Sequence, residues 1–176
     1  MADDSEHDGA VAETLTDLRA LLADQPFLEG LADEHVTLLA ACTSLCGYRA
    51  GTRILAEHDH ADFFMLIRAG RVALESRLPG RGRETFLTLG PGDVLGWSWL
   101  VPPYRWHYDA RAMEDVHIIR FDAGVLLRQM ERDSALGYAI HQRFTTLIVQ
   151  RMQAARLQGL DIYAGHGDAR RGAAHG

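Results

Sequence analysis

The sequence predicts an α+β, mainly β fold: an antiparallel β-roll of the jelly-roll type, flanked by short N-terminal helices and followed by a long C-terminal helix. Three observations predict it. Apolar residues recur at spacings of three and four before residue 42 and again after residue 122, the period of a helix. Between those limits they alternate, the period of a strand. Glycine-bearing turns cut the alternating stretch at Ala50-Gly51, Ala69-Gly70, residues 79–82 and Gly90-Pro91-Gly92-Asp93, and short strands punctuated in this way build rolls and barrels.

Composition bounds what such a chain does. At 176 residues and 47% hydrophobic content it holds one sizeable core with an appendage. A net charge of -6 argues against a general nucleic-acid binder, which needs a clustered basic surface. The start, MADDSEHDGA, has neither the basic residues nor the apolar stretch of a signal peptide, and no run approaches the length of a membrane span. The expectation is a soluble, cytoplasmic protein without a membrane partner. Cys42 and Cys46 are too few for a disulfide framework or a zinc site.

Residues 1–12 carry Asp3, Asp4, Glu6 and Asp8 with little to bury, and read as a disordered acidic leader. Leu15, Leu18, Leu21 and Leu22 share one face of a helix over residues 13–23, which Gln25-Pro26 ends. A second helix is predicted over 32–41, with Asp33 as its cap and Val36, Leu38, Leu39 and Cys42 as its apolar face. Strands follow near 43–49, 53–56, 63–68, 71–77, 84–89, 106–112 and 117–121. The helical period then returns, first to Glu131 and then from Ser134 to about Ile162, roughly 40 Å of helix at ~1.5 Å per residue. One stripe of that helix, Leu136, Ile140, Phe144 and Leu147, can face the roll. Another, Ile148, Met152, Ala155, Gly159 and Ile162, has the spacing of a two-stranded coiled coil and predicts a parallel homodimer. The domain therefore spans 13–163 with the dimer helix at 134–162, and the glycine-rich residues 164–176 read as a disordered tail.

Residue matches identify a family. Pro26 to Ala40, the run Tyr48-Arg49-Ala50-Gly51-Thr52-Arg53-Ile54-Leu55, the segment Asp59 to Val72 and, above all, Leu89-Gly90-Pro91-Gly92-Asp93-Val94-Leu95-Gly96 resemble the cyclic-nucleotide-binding domain of the catabolite-activator (Crp/Fnr) family. The resemblance runs from about residue 26 to residue 163 and implies the fold described above. It also implies a phosphate-binding cassette at Leu95–Ala112, LGWSWLVPPYRWHYDARA, which holds all three tryptophans. Family members that bind a cyclic nucleotide follow the glycine matching Gly96 with a glutamate for the ribose; here Trp97 stands there. They place an arginine for the phosphate six residues before the alanine matching Ala112; here that position is Trp106, with Arg105 beside it. Small hydroxyl residues on the long helix face the purine; here the stretch is Ala154-Ala155-Arg156.

Tryptophan offers one donor and no charge, so it does not replace arginine at a phosphate. The usual mode of cyclic AMP binding is disfavoured unless Arg105 turns inward. The backbone from Gly96 to Leu100, as one helical turn, retains N–H groups for an anion, with Ser98 adding a hydroxyl. Two readings of the aromatic cluster stand side by side. Trp97, Trp99 and Trp106 fill the old pocket as core, or Trp97, Tyr104, Trp106 and Tyr108 line a cavity for another flat or apolar ligand, with Arg105 and His107 as polar handles.

Other candidates are weaker. His58-Asp59-His60-Ala61-Asp62 collects metal-type ligands but reads as a solvated turn, with His58 where the family has a turn glycine. No nucleophile elbow, P-loop or dinucleotide fingerprint occurs, so no enzyme, metal or resident cofactor is expected beyond a cyclic nucleotide or other small ligand. After Tyr163 thirteen residues remain, too few for the family's helix-turn-helix, and direct operator binding is not expected. The sequence therefore predicts a dimeric regulatory or interaction module that passes its signal to a separate protein partner. The alternatives are a sensor of another small ligand in the tryptophan-lined pocket and a true cyclic-nucleotide binder using Arg105.

Overall fold

Pro26 sets the first boundary, because it has no N–H to continue a helical ladder. In the computed structural model, which describes residues 15–78 and 82–171, α1 covers residues 15–23 and gives way to a 3-10 turn at Pro26–Leu28. The acidic leader expected over 1–12 lies outside the described residues. Helix α2 runs Asp33–Ala40, and the cap position falls on Ala32, not on Asp33. Asp33 instead opens the helix with Glu34, where carboxylates favour the positive end of the helix dipole, and its carbonyl accepts a hydrogen bond from the Thr37 hydroxyl at 2.8 Å. The buried face is His35, Val36, Leu39 and Ala40. His35 was not anticipated there.

Among the described residues eight strands follow: β1 (Thr43–Tyr48), β2 (Arg53–Leu55), β3 (Phe63–Ala69), β4 (Val72–Leu78), β5 (Gly82–Leu89), β6 (Val94–Leu95), β7 (Asp109–Ala112) and β8 (Val116–Asp122). They form two antiparallel four-stranded sheets, ordered β1-β8-β3-β6 and β2-β7-β4-β5. Strand β6 was not predicted, and β7 is shorter than the expected 106–112. In the first sheet, Phe64, Met65, Leu66 and Ile67 are all fully buried, so both faces of β3 are covered. Its core holds a run of parallel rings, Phe121 on Phe64 at 4.3 Å and Phe64 on Trp99 at 5.5 Å. Gly70 lies at φ +83 between β3 and β4, and a Cβ added there would overlap the carbonyl oxygen of Asp115. Only glycine fits.

Asp122 ends β8 and caps α3 (Ala123–Arg132), its carboxylate accepting from the Val125 N–H at 2.7 Å. Helix α4 begins one residue later and runs Ser134–Arg171. It passes the expected end at 162 and enters the segment read as a tail. The alanine, arginine and aspartate residues there continue the helical ladder through Gly165 and Gly167, and only 172–176 of the tail lie outside the described residues. Two compact units result, one ending at Gly137 and one beginning at Tyr138. Among the described residues no helix is long and apolar enough to cross a membrane.

Candidate functional site

The cassette begins where β6, paired to Met65 and Leu66 of β3, delivers the chain to Gly96 at φ +89. A Cβ at this glycine would sit 2.8 Å from Cζ3 and 3.0 Å from Cη2 of Trp106, so the indole lies directly against the backbone. Trp97 follows at the cap of a single 3-10 turn, Ser98–Leu100. Ser98 and Trp99 are both buried. Trp99 leaves the cassette and stacks on Phe64 in the core.

The return limb is set by backbone pairing to residues 58–61. The His58 N–H donates to Trp106 O (2.9 Å), the Trp106 N–H to Asp59 O (2.9 Å) and the Ala61 N–H to Tyr104 O (2.8 Å). This local ladder explains why β7 starts only at Asp109: residues 104–106 pair with a loop instead of a sheet strand. Alternation then sorts the side chains. Trp106 and Tyr108 are buried at 3% and 6% exposure, whereas Arg105 and His107 are exposed. Arg105 donates from Nη1 to the carbonyl of His58 at 2.8 Å. Tyr104 has the parity of the buried pair, yet at φ +55 its left-handed backbone breaks the alternation and leaves it 42% exposed.

Two groupings result. On the buried side, Trp106 packs on Gly96 and on the Phe63 ring, whose centroid is 5.2 Å away, and the Arg120 guanidinium lies 4.1 Å over that same Phe63 ring. On the outer side, half-buried Trp97 stacks on His107 at 5.1 Å and 14°. The Ser98 hydroxyl, expected to serve an anion, hydrogen-bonds Nδ1 of His107 at 2.9 Å.

Sequence reasoning missed Asp109. It is a buried carboxylate that accepts from the Glu57 N–H at 2.8 Å and pairs with Arg83 at 3.0 Å, and it thereby joins β7, β5 and the turn before residue 60. Its phase in the alternation predicts an outward residue; the covering groups come from two distant segments. His58, in the place of a turn glycine, does adopt φ +72. Among the described residues no group of three or more His, Cys, Asp or Glu side chains is placed to hold a metal ion. Burial, with Asp122 nearby, pushes the Cys42 thiol up, which keeps it protonated and a poor nucleophile. Cys46 is a free, partly buried thiol. Open depressions of about 290 Å³ beside Cys42 and Arg120 and about 350 Å³ beside Tyr48 and His117 are lined by no cassette residue.

Of the predicted dimer positions, Ile148 is partly buried and Met152 is 64% exposed; the side chains of Ala155, Gly159 and Ile162 lie outside the described residues. Leu136, Ile140 and Phe144 of the other stripe are fully buried and Leu147 is partly so.

Comparison with known proteins gives the same architecture. The family model for the cyclic nucleotide-binding domain matches residues 46–133. A Geobacter metallireducens GS-15 protein named for cyclic nucleotide binding superposes with a TM-score of 0.68 at 25% identity, covering 79% of this chain and 98% of that one. The catabolite activator protein of Thermus thermophilus superposes with a TM-score of 0.64 at 25% identity, covering 80% of this chain and 63% of that one. Glutaminase 1 of Bradyrhizobium diazoefficiens is 38% identical over 69 residues, which is 39% of this chain and 11% of the enzyme.

Proposed function

The chain belongs to the cyclic nucleotide-binding domain family, and from that premise we propose that it is a non-enzymatic regulatory module whose nucleotide site is closed by its own side chains. The observation that carries this reading is the Trp106 indole packed on Gly96. The family resemblance puts a phosphate-binding arginine at 106 and opens the phosphate turn at this glycine. A large buried ring now takes that place, and swinging it out would forfeit about 3–5 kcal/mol, the scale of a large core truncation. An incoming phosphate would then meet no arginine at 106, and an unpaired buried charge costs several kcal/mol more.

Arg105 does not restore the site. It alternates with Trp106, so turning it inward requires a one-residue slip that would also turn Trp106 and Tyr108 outward. Calorimetry with cyclic AMP and cyclic GMP tests the reading. No heat of binding is expected at submillimolar nucleotide, and micromolar binding of either would overturn it.

A second reading has one observation in its favour: Trp97 remains partly exposed, with His107 stacked on it and anchored by Ser98. That surface suits a small flat ligand. Native mass spectrometry of the purified protein separates the two readings, since a closed site carries no co-purified small molecule.

Output through a parallel homodimer of α4, to a separate protein partner in the cytoplasm, completes the proposal. Met152 at 64% and Tyr138 at 71% exposure support it, because they are fourteen residues apart, two heptads along one seam that also carries Ile148. Light scattering is expected to give twice the mass of the chain.

A further inference from the structure

We propose that His35 and Asp133 form a latch that ties the first turn of α4 to α2 and sets how firmly the dimer helix is held at its start. Asp133 is the single residue between α3 and α4, in extended conformation at φ -125 and ψ 97. Its carboxylate is divided between two elements. Oδ1 accepts the Ala135 and Leu136 N–H groups at 3.0 Å each, which caps α4. Oδ2 lies 3.0 Å from Nε2 of His35 on α2, 98 residues away in sequence. The His35 side chain is 9% exposed, and Asp133 is the partner its Nε2 finds there. A buried imidazole without a partner is unfavourable, so the tether is specified from the α2 side as well as from the α4 side.

The surrounding backbone leaves little slack. The Asp133 N–H donates to Gln129 O at 2.9 Å, and the Gly137 N–H to Asp133 O at 3.0 Å. Gly137 approaches α3 so closely that an added Cβ would lie 3.2 Å from Met130 O. Losing the His35 contact therefore does not move a flexible loop; it releases one side of a junction made by a single residue. The apolar face of α2 predicts none of this, because the pairing partner is remote in the chain.

Hydrogen exchange on the intact chain tests the latch, using His35→Leu, which keeps a buried side chain and removes the donor. Asp133→Ser keeps a capping oxygen but is too short to reach α2. Each is expected to speed exchange of the Ala135, Leu136 and Gly137 amides by about tenfold, the scale of one hydrogen bond to a charged group, with β3 and β8 amides unchanged. The double variant is expected to be no faster than either single one, the signature of a coupled pair. Unchanged exchange at Ala135 and Leu136, a uniform rise across the roll, or additive effects would each overturn the latch. The link to output rests on the dimer proposed above. Sedimentation of the unaltered chain tests that dimer separately, and dimer affinity changed at least threefold in both variants is the expected result; equal affinity would overturn the link.

Discussion

The two limbs of the cassette carry similar residues to opposite ends. Trp106 on the return limb is driven against Gly96 and Phe63 and is buried, while Trp97 on the outgoing limb stays partly exposed against His107. An indole in the cassette does not have one meaning. What separates them is backbone pairing: residues 104–106 are held by residues 58–61, so alternation dictates which side chains enter, whereas Trp97 sits at the cap of a lone turn.

The largest effect breaks that contrast at its inner end. Trp106→Ala is expected to cost about 3–5 kcal/mol in denaturant unfolding, the range for a truncated core aromatic. A loss near that of an exposed residue would mean the ring is not core. Asp109→Ala is expected to cost about 1–3 kcal/mol, because it orphans the Glu57 N–H and leaves Arg83 without its carboxylate. Measured at high salt as well, most of that loss should persist, since the Glu57 hydrogen bond is local. Trp97→Ala, at the outer end, is expected to cost only about 1 kcal/mol, since part of its surface already faces water. Equal costs for the two tryptophans would erase the distinction.

The smallest effect concerns pH at the α3–α4 junction. The Leu136 N–H, then His35 and the Ala135 N–H, hold the Asp133 carboxyl below its usual range. A carboxyl depressed in the folded state adds stability that is complete above the unfolded value and is lost as pH falls through the folded one. Acid should therefore loosen the start of α4, and Asp133→Asn should remove that part of the pH dependence. Exchange of the Ala135 and Leu136 amides against pH checks it.

Much of the fold was legible in particular residues. Pro26 ends α1, Gly70 turns between β3 and β4 because nothing larger fits against Asp115, and the return of the helical period after residue 122 marks α3. Strand β6 escaped notice because two residues, Val94 and Leu95, carry no readable period. The expected strand at 106–112 was too long for a different reason: its first half pairs with a loop that has no strand pattern of its own. The end of α4 was misjudged because Gly165 and Gly167 lower helix propensity without ending a helix.

By itself the sequence determined the family and the roll, and it put Trp97, Trp99 and Trp106 together in the cassette. These follow from side-chain identity and local period, which the chain carries with it. Only the tertiary structure decided that Trp106 lies on Gly96 while Trp97 lies on His107, that Arg105 faces out onto His58, that Asp109 is buried and that His35 reaches Asp133. Each depends on a contact between segments distant in the chain, and neither propensity nor spacing encodes which remote group arrives to cover a given side chain.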